Sequence, residues 1–153
     1  MEVGLDDAWD RLYRNSRDDL YRSACLLVGP HDAEEVVQEA FERAMRERDF
    51  FARIENPGGW LRVAAARCAL TRLRRQKRWQ RLEVFLRPSA PPARDLDLDA
   101  ALSRLPATQR TAVVLRYYHG LNYDEIAAAI DLAPASVGPI LSRARATLRE
   151  ALR

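Results

Sequence analysis

Apolar residues recur three and four positions apart along almost the whole of this 153-residue chain, and no stretch alternates apolar and polar over the length of a strand. That pattern predicts an all-α protein. A first helix is expected from about Asp7 to Val28, with Trp9, Leu12, Tyr13, Leu20, Ala24 and Leu27 available for burial and Gly29-Pro30 as its stop. A second begins at Asp32, where Asp32-Ala33-Glu34-Glu35 has the form of a capping box. It turns Val36, Val37, Ala40, Phe41, Ala44 and Met45 inward and leaves Glu34, Glu35, Gln38, Glu39 and Glu42 outside. Residues 47–59 read as a broken segment ending on Asn56-Pro57-Gly58-Gly59, and a long helix follows over 60–81.

The tract Arg87-Pro88-Ser89-Ala90-Pro91-Pro92-Ala93-Arg94-Asp95 interrupts the periodicity with three prolines and almost nothing to bury. It reads as the centre of an extended linker over 83–97, between one helical domain at 1–82 and a second at 98–153. In the second, a short helix near Leu98–Leu105 precedes one that starts beside Pro106 and stops at Gly120. Asn122 and Glu125 form a capping-box start for a helix over 123–130, and a final helix carries Leu141, Leu148 and Leu152 with Arg143, Arg145 and Arg149. The short turn Asp131-Leu132-Ala133 between the last two makes a helix-turn-helix pattern, with Asp131 as the residue that accepts a positive φ.

Charge sharpens this picture. The net charge is only +3, yet residues 57–80 hold seven arginines and lysines and no acid. A cationic helix without acids lacks the i,i+4 pairs of an ordinary solvated face, which points to a polyanionic partner. The acidic face of the second helix has two readings, an ordinary solvated surface or a docking face for a basic partner, which the chain's own basic helix could supply only by neutralising both. Cys25 and Cys68 stand among apolar neighbours with no zinc-ligand spacing, and read as buried thiols. His31 and His119 stand alone at helix boundaries, with surface or capping roles. No paired carboxylates, nucleophile-base set or glycine-rich phosphate loop is present, which argues against an enzyme, a cofactor or a metal. No apolar run approaches the roughly 20 residues of a membrane span and no signal-peptide core stands at the N-terminus, so a cytoplasmic location without membrane insertion is expected.

Four motifs then stand in order along the chain: Asp32-Ala33-Glu34-Glu35-Val36-Val37-Gln38-Glu39-Ala40-Phe41; Asn56-Pro57-x-x-Trp60-Leu61 with Arg72-Leu73-Arg74-Arg75; Leu105-Pro106-x-x-Gln109-Arg110; and Gly120-Leu121-Asn122-Tyr123-Asp124-Glu125-Ile126-Ala127. Together they resemble bacterial RNA polymerase sigma factors of the small, extracytoplasmic-function group. The resemblance implies a protein that binds core RNA polymerase and directs promoter-specific initiation. The first domain would be sigma region 2, docking Glu35, Gln38, Glu39 and Glu42 on the polymerase clamp helices. Asn56, Trp60, Arg62, Arg67, Thr71, Arg74, Arg75 and Arg78 would meet the minus-ten element, with residues 47–59 forming a pocket for a flipped base. The second domain would be region 4, resting on the polymerase flap and placing Ser136, Gly138, Arg143 and Arg145 at the minus-thirty-five element. An anti-sigma factor is a further partner that the resemblance suggests. A free-standing helix-turn-helix regulator and a sigma-like adaptor without promoter activity are the rival readings. Two departures from the family pattern stand out: Arg67 and Thr71 replace the frequent Asn and Asp, and Gly138-Pro139-Ile140 replaces a cationic turn in the last helix.

Overall fold

The computed structural model describes the backbone of residues 3–83 and 97–153, and the side chains of 4–76 and 97–153. The proline-rich tract and the side chain of Arg78 lie outside the described residues. All regular structure within them is helical: α1 (Val3–Val28), α2 (Pro30–Arg46), α3 (Phe50–Arg53), α4 (Pro57–Glu83), α5 (Asp97–Ser103), α6 (Ala107–Val113), α7 (Tyr123–Ala129) and α8 (Pro134–Ala151). A five-residue π-helical stretch, Val114–Tyr118, continues α6.

Helices α1, α2 and α4 pack on one another around Leu20, Ala24, Leu27, Val36, Ala40, Leu61 and Ala65. Small residues on α4, Ala64, Ala65, Cys68 and Ala69, let it approach its neighbours closely. A second core gathers Leu102, Leu105, Leu115, Ile126, Val137 and Leu141 from α5 to α8. The two cores meet on α4. Its Ala66 and Leu70 are buried in the second core, whereas Leu61, Ala65 and Leu73 belong to the first. Val114, from the C-terminal half, is buried in the first. The long basic helix is therefore covered on two sides, not on the single apolar side that its sequence suggests.

Local chemistry explains most boundaries. Gly29 takes φ +84 between α1 and α2, and Gly120 takes φ +72 after the π-helical stretch, both in the left-handed region where a side chain strains the backbone. Asn122 and Glu125 close both halves of their capping box on α7, at 2.8 and 3.0 Å. Asp131 accepts φ +55 in the turn, and α7 and α8 are bent 96° apart across it, within the usual range of a helix-turn-helix.

Three expectations need correction. Helix α2 starts at Pro30 with no side-chain cap, because proline's fixed φ suits the first helical position; the Asp32 carboxylate instead accepts a 2.7 Å hydrogen bond from Gln76 Nε2 of α4. Met45 is 64% exposed although its spacing placed it inward. Tyr13 of α1 likewise lies outside the core, 47% exposed. No single described helix is long and apolar enough to cross a membrane.

Candidate polymerase and nucleic-acid interface

The acidic face of α2 stands as its periodicity predicts, with Glu35, Gln38 and Glu42 exposed and Glu39 half-buried. It is not without internal counter-charge, however. Arg17 of α1 meets Glu34 at 2.6 Å, Arg72 of α4 meets Glu35 at 2.9 Å, and Arg43 meets Glu39 at 3.1 Å one helical turn on. Gln38 Nε2 donates to Glu42 Oε1 at 3.2 Å. Sequence reasoning missed the pairs to Arg17 and Arg72 because both partners come from other helices. All four carboxylates remain at least a third exposed, so these contacts are weak and exchangeable. Beside Gln38 and Glu42, a groove of about 470 Å³ opens between α1 and α2 over Trp9, Tyr13, Phe41 and Met45. The exposure of Tyr13 and Met45 gives this face an apolar floor beneath its acidic rim.

Asn56 and Trp60 organise the entry to α4. The Asn56 side-chain oxygen accepts from the Gly59 backbone N–H at 3.0 Å, capping the helix. A Cβ on Gly59 would lie 2.6 Å from Asn56 Nδ2, so this cap requires glycine there. Trp60 packs edge-to-face on Phe50 at 5.2 Å, and Phe50 in turn stacks on Trp9. The indole is half-buried in an aromatic cluster that joins α1, α3 and α4.

The cations of α4 have diverged in role. Arg74 and Arg75 are exposed, and no ion pair of theirs stands among those of the described residues. Arg72 is committed to Glu35 and its Nε is buried without a partner. Thr71 is exposed and gives its hydroxyl hydrogen to the Arg67 carbonyl at 3.0 Å. Arg67 reaches across to the C-terminal helices: Nε donates to the Ala129 carbonyl at 2.7 Å, and Nη2 to the Ala128 carbonyl at 2.9 Å and to Asp131 Oδ1 at 3.0 Å. Arg62 is half-buried next to His119. Burial, and then repulsion from Arg62, push the His119 ring down to a pKa of about 4.

Asn56, Trp60, Arg62 and Arg67 all line one cleft of about 850 Å³, whose opposite wall is built by His119, Leu121, Glu125 and Ala128. A second tie spans the halves: Arg110 Nη1 donates to the Leu27 carbonyl at 2.9 Å, and Nη2 to the Ser103 and Leu105 carbonyls. Neither tie was visible as such in the sequence, where Arg110 stands only as part of a motif.

On the helix-turn-helix, Ser136 and Gly138 are half-buried, while Arg143 and Arg145 are exposed. Arg145 Nη1 donates to the Tyr117 hydroxyl at 3.0 Å. Helix α8 runs unbroken through Gly138 and Pro139. It begins at Pro134 and continues past the proline, where Val137, Leu141 and Ala144 are fully buried at helical spacing and hold both sides.

Two family models match in the order of these surfaces. Sigma-70 region 2 matches residues 12–79, which include the acidic face and most of α4, and Sigma-70 region 4 matches residues 95–148, which include the helix-turn-helix. The ECF RNA polymerase sigma factor SigM of Mycobacterium tuberculosis is 30% identical over 95% of this chain and 77% of its own length. The chain belongs to the extracytoplasmic-function sigma factors. SigE of Mycolicibacterium smegmatis, another ECF sigma factor, is 34% identical over 95% of this chain, which spans 62% of that protein's length. Among solved structures, the sigma factor RpoE of Bartonella quintana, crystallised with the anti-sigma factor NepR, superposes with a TM-score of 0.74 at 25% identity, covering 95% of this sigma factor and 96% of that chain.

Proposed function

We propose that this sigma factor binds core RNA polymerase and directs it to a restricted set of promoters in the cytoplasm, without catalysis of its own. The observation that carries the reading is the ordered pairing of a region 2 match, on an acidic helix packed against a cationic one, with a region 4 match on two helices bent 96° apart. Glu35, Gln38, Glu39 and Glu42 would meet the polymerase clamp helices, with Tyr13 and Met45 adding apolar contact from the neighbouring groove. Asn56, Arg62, Arg74 and Arg75 would follow the minus-ten strands, the exposed guanidiniums binding phosphate and the cleft at Trp60 accepting an unstacked base. Helix α8 would meet the minus-thirty-five element through Ser136, Arg143 and Arg145. The likeness to a sigma factor crystallised with an anti-sigma factor supports a partner of that kind.

Run-off transcription tests this directly. Purified core polymerase on genomic promoter fragments should give discrete transcripts only when this chain is added, and their absence would overturn the reading.

A further inference from the structure

The π-helical stretch Val114–Tyr118 sets one extra residue into a helical turn, and the His119 backbone N–H donates to the Val114 carbonyl at 3.2 Å. Such an insertion redirects the side chains around it and is frequent at functional sites. Here Val114 and Leu115 stay buried while Tyr117 is 57% exposed, so its ring adds little to the core. What it touches instead is Arg145 of α8, whose Nη1 donates to the Tyr117 hydroxyl at 3.0 Å. Arg145 is itself exposed, and no ion pair of its own stands among those of the described residues. It lies two helical turns beyond Gly138, so the two share one face of α8. A Cβ on Gly138 would lie 3.6 Å from the Tyr123 ring. Val137, Leu141 and Ala144 form the buried stripe of α8, and Gly138 and Arg145 flank it on one side, where the exposed face begins. Tyr117 thus stands at the margin of the helix proposed to meet DNA.

We infer that Tyr117 and Arg145 form one phosphate-binding pair, in which the phenol hydroxyl and the guanidinium hold the same DNA phosphate at the edge of the groove that α8 enters. The inference rests on the reading of α8 as the helix that meets the minus-thirty-five element. A recognition helix lies in the major groove with the sugar-phosphate strands along its two margins, so a pair at the margin meets phosphate rather than base edges. The chemistry matches that position. The phenol oxygen accepts from Arg145, which turns its own hydrogen away from the guanidinium and leaves it free to donate. A bond received from a cation also polarises the hydroxyl and makes it a better donor to an anion. Arg145 spends one N–H on the tyrosine and keeps the others for the phosphate. The tyrosine also restrains a long side chain whose rotamer entropy a phosphate contact would otherwise have to overcome. Arg116 does not compete for the hydroxyl: it lies over the Tyr123 ring at 5.5 Å and donates to the Leu121 carbonyl at 3.0 Å. The turn at Gly138-Pro139-Ile140 carries no cation, and the pair supplies an anion contact from the edge of the same helix.

Gel-shift titrations of the polymerase holoenzyme across a salt series, on a promoter fragment found by run-off transcription, test the pair. Tyr117→Phe keeps the ring and removes only the hydroxyl. It should weaken promoter binding by about 3–10-fold. The salt slope should hardly change, because a neutral hydroxyl displaces no counterion. Arg145→Ala should weaken binding further and lower the slope by about 0.9. In the double variant, the loss of the hydroxyl should cost less than about twofold beyond Arg145→Ala, since the two groups share one phosphate. Circular dichroism and binding to core polymerase should be unchanged in all three variants. Neutral methylphosphonates placed one at a time along the minus-thirty-five strands give a readout that a merely structural role would not move. At least one position that weakens the wild type should leave the double variant unaffected. A Tyr117→Phe protein that binds more tightly than the wild type would show that the tyrosine only sequesters Arg145, and would overturn the pair. Additive losses in the double variant, or the absence of any methylphosphonate position specific to the pair, would also overturn it. A wild-type holoenzyme that shifts no promoter fragment overturns the sigma reading and the pair together, whereas a wild-type shift that Tyr117→Phe leaves unchanged overturns the pair alone.

Discussion

Lowering the pH from 7 to 5 should weaken the junction between α4 and the C-terminal helices through one ring. His119 closes the π-helical stretch beside Arg62 of α4, with Asp19 of α1 nearby and Tyr118 packed edge-to-face on it at 5.0 Å. Arg22 of α1 approaches the same Tyr118. Burial and the Arg62 charge outweigh the opposing pull of Asp19 and take the ring from an ordinary 6.5 to about 4. Above pH 6.5 the ring is neutral whether the junction is formed or lost, so its contribution is fully present. Between 6.5 and 4 the unfolded chain binds a proton that the folded one refuses, and stability falls as the pH drops; below 4 nothing more is lost. At 1.36 kcal/mol per unit the whole gap corresponds to about 3 kcal/mol. The ring lines an open cleft, so screening should roughly halve this, leaving about 1 kcal/mol between pH 7 and 5. For a chain of this size that is about 2–4 °C in Tm. Carboxylates titrate in the same window, so the informative quantity is a difference. Calorimetry of wild type and His119→Gln at pH 7, 6 and 5 should show the wild type losing about 2–4 °C more than the variant. Equal losses in the two proteins would refute the argument.

Replacing Arg74 and Arg75 by alanine should leave core binding intact, reduce strand opening in permanganate footprints, and lower the salt slope of promoter binding by about 0.7–0.9 per lost phosphate contact. Asn56→Ala removes the cap on Gly59 and should cost about 1 kcal/mol, read as a fall in Tm with the α-helical spectrum otherwise retained. Gly138→Lys should be accommodated, because a Cβ there would lie 3.6 Å from the Tyr123 ring, an ordinary contact. The added cation should tighten promoter binding and steepen its salt slope by about 0.9 if α8 faces phosphate, and gel-shift titrations with the polymerase holoenzyme across a salt series would measure both effects.

Helices and their local stops were legible because they depend on neighbours in sequence. The spacing of Val36, Val37, Ala40, Phe41 and Ala44 specifies a buried stripe wherever the helix packs, and all five are buried. The Asn122–Glu125 box and the positive φ of Asp131 are likewise decided within a few residues. What the sequence hid is pairing between distant helices. Glu35 reads as unpartnered until α2 and α4 are packed and Arg72 arrives from 37 positions away. Arg67 reads as one more DNA-facing cation until the helix-turn-helix is set against it. Met45 was misplaced because the periodicity gives its direction but not where α1 ends its cover: the groove beside Trp9 and Tyr13 stays open there. The start of α2 was misread for a different reason, two competing local signals, of which the proline outweighed the acidic box.

The same distinction between backbone and charge clarifies the last helix. Glycine and proline in a helix interior are unfavourable by about 1 and 3 kcal/mol relative to alanine, which makes a kinked or delayed α8 the natural expectation. Pro139 is the sixth residue of α8, and the helix persists through it because three fully buried side chains, Val137, Leu141 and Ala144, fix the backbone on either side. The departure from the family pattern at Gly138-Pro139-Ile140 is therefore a loss of charge on a segment that stays helical. Arg143 is exposed and available to DNA, and Arg145 is exposed while held by the Tyr117 hydroxyl. On the proposed reading, a recognition helix with few free cations would hold duplex DNA through a small number of contacts, which would move the burden of promoter affinity to the guanidiniums of α4. One of those, Arg67, is held by the turn that precedes α8. Arg67 and Asp131 thus pair across the two halves, so a substitution at either residue acts on both of the elements proposed to face DNA.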